Sequence, residues 1–598
     1  MNPLFAESVQ AELAYLQQLL DEYATGHHKI ANRLRHQTDG TSNAATARLT
    51  QAFAFLLART QRRVDDEFPQ ILKPLSDLIG MPGPATVPAL STVEFVVSPE
   101  QAPDASGGIV PRGTRLESEP IRGVPIRFRT CSDVFVWPIE LLSASLEYPP
   151  FRKSIPAASA ATCAVRLSLR TLASNVTFAD LAVDHLRFFI HGALDDALWL
   201  YHSLFADAIE VTVQSSVAPA RRMSPQSLVP GGFSPRESLY PGISHDGARA
   251  LVEFFSFPDK FLFFELHGLG SVLPDFPATE VEIDVYLRSA KEFMPRRLAP
   301  GAMRLHCTPV VNLFDRPTSP IEIKGRTDRL ALVVDPENPQ EYEVHAVNQV
   351  RLRDSRDVES DLPRYHALRR FTSAAESGPR WEYDTLEHSA TAERGTVIGL
   401  RFVDDQFAPC KLGDCTVSAT VTCSNGDHVR NLPFGDEGCL LQAEALPFVS
   451  ECRCLVAPTR PRRLRLAQTM WERVEQRLPD PLTLASAQGV AALRSEIQRL
   501  SCDDDVVLQS LVSSLSDVRL VRSTGISGGR MLCHGVDAVL VFRRMARFAR
   551  GQLLLVRVLQ ELLAHYATDG VIFRLHSQYE DGEEILRCPA RSGARPVI

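Results

Sequence analysis

Residues 246–266, DGARALVEFFSFPDKFLFFEL, decide how this chain is read. Ala248, Leu251, Val252 and Phe255 recur at i, i+3, i+4 and i+7, the apolar stripe of a short helix that Asp246 is placed to cap. Pro258 has no amide hydrogen and disfavours helical backbone at Phe257, so the helix is expected to stop there. Pro258-Asp259-Lys260 then predicts a turn. Residues 261–266 predict a strand that is apolar on both faces, which suits burial between two layers. Nothing in the stretch is arranged for catalysis; it is the filling of a core.

Outward from this run, the bulk properties narrow the class. A chain of 598 residues exceeds one ordinary core and should hold about three or four domains. With 44% apolar and 23% charged residues it has the balance of a folded globular protein. A net charge of −8 over this length gives no general attraction to nucleic acid or anionic lipid. The basic runs at 460–465 (RPRRLR) and 543–550 (RRMARFAR) are expected to be solvated faces. The opening MNPLFAESVQAELA lacks the basic region and apolar core of a secretory signal. No uninterrupted apolar run approaches the ~18–20 residues that cross a bilayer. The 12 cysteines are scattered, as reduced thiols are. The expectation is a soluble cytoplasmic protein with no nucleic acid partner and no direct membrane insertion.

The pattern along the chain is α+β and multidomain. Residues 1–81 predict a helical bundle segment, with Val9, Leu13, Leu16, Leu20 and Tyr23 on one face and a second stripe through Leu49, Phe53, Leu56 and Val64. Pro82, Gly83, Pro84 and Pro88 read as a linker. Residues 91–240 predict a β-rich domain, with strands in VEFVV, DVFVWPIEL, CAVRLSL and HLRFFIH and a helix over 197–205. Residues 241–350 form a mixed α/β segment around the Phe-rich run, with strands in VEIDVYL, RLALVV and YEVHAV. Residues 351–395 are polar and predict a long loop or boundary. Residues 396–598 predict a C-terminal α+β domain, with strands VIGLRFV and TVSATVTC, a helix lined by Leu553, Val556, Leu559, Leu563 and Tyr566, and a last strand over 571–576.

Candidate chemistry is sparse. Gly525-Ile526-Ser527-Gly528-Gly529 matches G-x-S-x-G, with His534 and Asp537 downstream. A nucleophile elbow needs a strand-to-helix turn, whereas MLCHGVDAVLVF predicts a second strand, so the motif reads as a hairpin loop. Cys410, Cys415, Cys423, Cys439, Cys452 and Cys454 cluster without the repeated close pairs of a zinc site; Cys452 and Cys454 on one strand would face the same way. His27-His28, Asp65-Asp66-Glu67 and Asp503-Asp504-Asp505 lack convergent partners. No metal, cofactor or catalytic residue is expected. The competing reading, a β-rich hydrolase or carbohydrate-active enzyme, needs convergent carboxylates or a Ser–His pair in a pocket, and neither is evident.

With chemistry set aside, the order of motifs carries the reading. AELAYLQQLLDEYA and LTQAFAFLLARTQRRVDDEFPQIL, then VPRGTRLES, GVPIRFRTCSDVFVWPIEL, HLRFFIHG, GGFSPRESLYPG, the Phe-rich run and HCTPVVNLFDRPTSPIEI resemble, in that order, the TssF (VasA/ImpG) family of type VI secretion baseplate subunits. The resemblance singles out Phe254, Phe255, Phe257, Pro258, Lys260 and Phe261 in the Phe-rich run, and Pro309, Asn312, Leu313 and Phe314 in the later motif, as family-matching structural positions. The chain departs at His27-His28, where the family reads His-Pro. It departs again at Cys423-Ser424-Asn425-Gly426, where a hairpin-like insertion at 426–430 delays Asn431-Leu432-Pro433. The resemblance implies a wedge protein of a contractile injection machine, recruited to the membrane-docked secretion complex. Two copies would join one TssG and one TssE, six wedges would surround the VgrG spike, and TssK would link them to the membrane complex. Such a part supports sheath assembly and contraction by binding, with hinges expected at 82–88 and 351–395.

Overall fold

The computed structural model describes residues 86–592, apart from 98–105, 152–159, 289–296, 324–329, 366–377, 387–396, 464–488, 545–550, 565–570 and several stretches of five residues or fewer, together with some helical residues nearer the N-terminus, of which 48–57 is the longest run. The expected bundle at 1–81 therefore lies largely outside the described residues, as do His27-His28, Asp65-Asp66-Glu67 and Asp503-Asp504-Asp505.

The Phe-rich segment folds largely as its sequence dictates. Its helix spans Asp246–Ser256 and stops one residue before Phe257, whose amide still donates to Glu253 O at 2.8 Å. Pro258–Phe261 is a 3-10 turn. The strand is Phe263–His267, not 261–266: Leu262 N still donates to Asp259 O, so the turn consumes the first two residues. The strand lies between His185–Ile190 and Leu228–Pro230, all antiparallel, in a four-stranded sheet completed by Met303–Leu305. Phe188 stacks on Phe264 across the ladder at 5.0 Å. The helix expected over 197–205 is Leu194–His202, continued by a π turn at Ser203–Asp207.

One large core unites this sheet with the five-stranded sheet built on Cys163–Thr171 and Glu280–Leu287 and with the C-terminal elements. The helix Gln552–Leu563 buries Leu553, Leu554, Val556, Val558, Leu559 and Leu562 in the core and keeps Arg557, Gln560 and Glu561, at i, i+3 and i+4, as a narrow half-buried polar stripe. It connects Met531–Phe542 to Ile572–Tyr579, a parallel pair, as a crossover helix must. Leu515–Ser527 and Met531–Phe542 pair antiparallel up to Ser527 opposite Met531.

Two further units stand beside this core. A closed six-stranded barrel joins Leu90–Val96, Arg115–Ser118, Arg127–Thr130, Cys307–Val311, Leu440–Ala443 and Glu451–Cys454. Its strands come from segments that a linear division at 240, 350 and 395 keeps apart. A sandwich pairs a sheet on Cys415–Ser424 and Glu343–Asp354 with a second sheet on Arg380–Leu386 and Val397–Val403.

Several expectations need correction. The polar stretch 351–395 contains the end of Glu343–Asp354, then Glu359–Leu362 and Arg380–Leu386, all strands. The polarity of 351–362 reflects a ribbon with both faces in solvent, tied by Arg353–Glu359 at 2.5 Å and Arg351–Asp361 at 3.3 Å, whereas Arg380–Leu386 buries Trp381 in the sandwich. The linker ends earlier than Pro88: Thr86–Val87 pairs with Arg462–Arg463, and Val87 and Pro88 are buried. DVFVWPIEL is two strands, Val134–Val136 and Ile139–Glu147, divided at Trp137-Pro138. In RLALVV the strand covers just Leu330–Ala331 among the described residues, although Leu332 N still donates to Ile398 O at 3.0 Å. The insertion at 426–430 is a 3-10 helix, Gly426–Asn431, with Val429 buried under the barrel, not a hairpin.

Candidate functional site

The family-matching residues converge where the three cores meet. Phe254, Phe255 and Phe261 fill the large core, with Phe254 5.2 Å from Phe255 and 6.0 Å from Phe261. Phe257 points the other way, into a small cluster with Leu313, Leu90, Leu239 and Tyr240. Pro309 is buried in the barrel strand Cys307–Val311, opposite Thr92, and its carbonyl accepts from Cys131 N at 2.9 Å. Phe314, two residues beyond Asn312, enters the sandwich core, where Arg127 lies over its ring at 5.5 Å. The two motifs thus stitch barrel, sandwich and main core to one another. Pro258 is half-buried and sets the turn between helix and strand.

Beneath the turn lies a buried charge cluster. Glu253, Arg249 and Lys260 are at most 3% exposed. The Glu253 carboxylate accepts from Lys260 Nζ, from Arg249 Nη1 at 3.3 Å, from Ser238 Oγ at 3.0 Å and from Leu239 N at 2.7 Å. Burial drives the Lys260 ammonium below its ordinary range, and Glu253 opposes that shift. A neighbouring Glu237 accepts from Gly232 N at 2.9 Å and pairs with Arg187, which also lies 4.7 Å over Phe263. Burial would raise the Glu237 carboxyl, but the Arg187 guanidinium holds it below the usual range. These groups have internal partners, and what they do is fix the GGFSPRESLY loop against the Phe-rich turn. The signal was present in the sequence: Arg249 and Glu253 stand at i, i+4 inside an otherwise apolar helix.

A second polar knot holds the other motif. Asn312 Nδ2 donates to Arg127 O at 2.6 Å and to Asn425 Oδ1 at 2.9 Å, and Asn425 N donates back to Asn312 Oδ1 at 2.8 Å. Asn425 Oδ1 also accepts from Arg127 N at 3.0 Å, and Asn425 Nδ2 donates to Pro125 O at 3.2 Å. Both asparagines are fully buried, and both side-chain amides are engaged at oxygen and nitrogen.

Cys439 lies outside the described residues, and the five described cysteines of the cluster do not form one site. Cys410, Cys415 and Cys423 belong to the sandwich core, whereas Cys452 and Cys454 face the barrel core from one strand. Burial pushes the Cys423 thiol up to about 12 and the Cys452 thiol higher still, away from the thiolate that metal binding needs. Ser527 sits on the strand Leu515–Ser527 at a strand-to-strand connection, and Asp537, accepting from Ser523 Oγ and Arg574 Nε at 2.8 Å each, serves the sheet. Of the basic runs, Arg544 is bound to Asp581 and Glu583, and Arg462 Nη1 donates to Phe255 O at 3.2 Å.

A model of the family described as "Type VI secretion system, TssF" matches residues 1–595. The chain belongs to the TssF family. It is 27% identical over 627 residues to the type VI secretion system component TssF1 of Pseudomonas aeruginosa, with all of both chains covered. Two solved structures share its fold. A chain of the TssK-TssF-TssG baseplate subcomplex, determined by cryo-electron microscopy, matches with a TM-score of 0.68 and 20% identity over 92% of this chain and 100% of that one. A chain of the type VI secretion baseplate complex matches with a TM-score of 0.58 and 20% identity over 99% and 100%. This TssF-family chain is thus a type VI secretion system component, and the hydrolase alternative finds no support. Among the described residues, no helix is long and apolar enough to cross a membrane.

Proposed function

We propose that this chain is a structural wedge subunit of a type VI secretion baseplate, acting by assembly and carrying no catalytic centre. The observation that supports this most is the match of the TssF family to nearly the whole sequence. The geometry agrees in kind: the motifs that carry the resemblance are spent on joining three cores, with their polar groups sealed inside. In this reading the chain works in the cytoplasm and is recruited to the membrane-docked complex. Two copies pair with TssG and TssE, TssK links the wedge to the membrane complex, and six wedges enclose the VgrG spike. Because two identical chains meet one different partner, they must use non-equivalent surfaces.

The test is co-expression with TssG and TssE followed by native mass measurement of the purified complex. Two copies of this chain per TssG are expected. One copy, or no retained partner, contradicts the proposal.

A further inference from the structure

The strands His185–Ile190 and Phe263–His267 place His185 and His267 directly opposite each other at the end of their ladder. Cross-strand partners project from the same face of a sheet. The two imidazoles accordingly lie nearly parallel, 12° apart with centroids at 5.1 Å. Asp184 precedes His185, and one ligand atom from each of Asp184, His185 and His267 lies within 4.8 Å of the others. We infer that these three side chains form a binding site for a divalent first-row transition ion, zinc being the natural occupant.

Three further contacts organise the site. Glu265, two residues before His267 and on the same face, accepts a hydrogen bond from His267 Nε2 at 2.8 Å. A carboxylate on the outer side of a ligating imidazole fixes its tautomer and ring direction. Phe135 meets the His185 ring edge-on at 5.3 Å, which limits its rotation. Leu269 N donates to Asp184 O at 2.9 Å, and Gly270 leaves room beside Asp184, since a Cβ there would come within 3.1 Å of its Oδ1. Two imidazoles and one carboxylate are a borderline donor set that suits Zn²⁺ or Co²⁺ and leaves an open coordination position for water or a group from outside. His185 and His267 are only partly buried, so an ion can reach them from solvent. A bound ion would clamp the ends of the two strands and the loop that follows His267. It would also border the cleft lined by Asp133, Trp137, Arg187 and His306.

The test uses the full-length chain, in complex with its partner subunits, stripped with a chelator and titrated with Zn²⁺ and Co²⁺. We expect one more equivalent of zinc per chain in the wild type than in a His185→Asn/His267→Asn variant, and a cobalt spectrum without thiolate charge-transfer bands. Glu265→Gln, which keeps all three ligands, should weaken binding about 10–100-fold. Equal metal content in wild type and double variant, or a cobalt–thiolate band lost on changing the cysteines, overturns the site. Melting curves taken without metal establish that both variants fold. Should the double variant fail to fold, unchanged affinity in Glu265→Gln would itself count against the proposal.

Discussion

Asn312 and Asn425 exchange hydrogen bonds in both directions across 113 residues of chain, amide nitrogen to carbonyl oxygen at 2.9 Å and backbone nitrogen to carbonyl oxygen at 2.8 Å. The pair also takes the backbone of Arg127 at both its N–H and its C=O, so barrel and sandwich are locked through one polar knot. Asn312→Ala strands buried donors and acceptors on both sides and should cost about 2 kcal/mol or more. Asn425→Ala should cost a similar amount. The double variant should lose less than the sum of the singles, with a coupling of about 1–3 kcal/mol. Urea unfolding of the four proteins measures this, and strict additivity would show that the knot is not one unit.

The Glu253 cluster predicts an order of severity. Glu253→Ala leaves two buried cations facing each other and should destabilise by about 3–5 kcal/mol. Lys260→Met keeps the packing, and Glu253 retains Arg249, Ser238 and Leu239, so its cost should be smaller, about 1–2 kcal/mol. Thermal melts of the two variants decide it, and a reversed order would contradict the assignment of Glu253 as the hub.

Gly232 has φ +88°, and a Cβ placed there would collide with the Lys260 carbonyl oxygen. Its amide is also the donor to Glu237. Both the left-handed backbone and the close approach require glycine. Gly232→Ala should therefore lower the melting temperature more than Gly113→Ala, where φ is +86° but nothing lies within 4 Å. Comparable shifts at the two sites would mean that strain alone, and not the approach to the Phe-rich turn, governs this position.

His306 gives a pH signature. Its Nε2 accepts from Trp137 N at 3.1 Å, and burial lowers its pKa from 6.5 to about 4. Above pH 6.5 the imidazole is neutral in both folded and unfolded chains, and stability is complete. Between pH 6.5 and 4 the unfolded chain takes up a proton that the folded one refuses, so stability falls with pH, by an amount on the order of 3 kcal/mol. Denaturation midpoints across this window should follow that slope in the wild type and flatten in His306→Asn, a residue that tolerates the φ of 54° found here. An unchanged slope in the variant would assign the acid sensitivity to other groups.

The local rules were legible in the sequence: Pro258 ends its helix, alternating patterns give strands at Cys163–Thr171 and Glu280–Leu287, and Cys452 and Cys454 share a face. What stayed hidden depends on partners distant in the chain. The barrel closes Leu90–Val96 onto both Cys307–Val311 and Glu451–Cys454, and no periodicity reports such a pairing. Asn425, just before the insertion at 426–430, carries no local sign of its role, because its partner is Asn312, 113 residues away. The ribbon around Glu359–Leu362 looked like a loop because a strand wet on both faces has no apolar alternation. His185 and His267 carry no spacing motif, since only strand register brings them together.

The central claim, that the chain works by assembly and not by chemistry, is tested most directly by imaging sheath assembly in cells that lack the native gene and carry variants of this chain. The account predicts that Ser527→Ala and His534→Ala support sheath foci as the wild type does, while Glu253→Ala, which undermines the junction, does not. Loss of foci in Ser527→Ala with the baseplate complex still intact would contradict it.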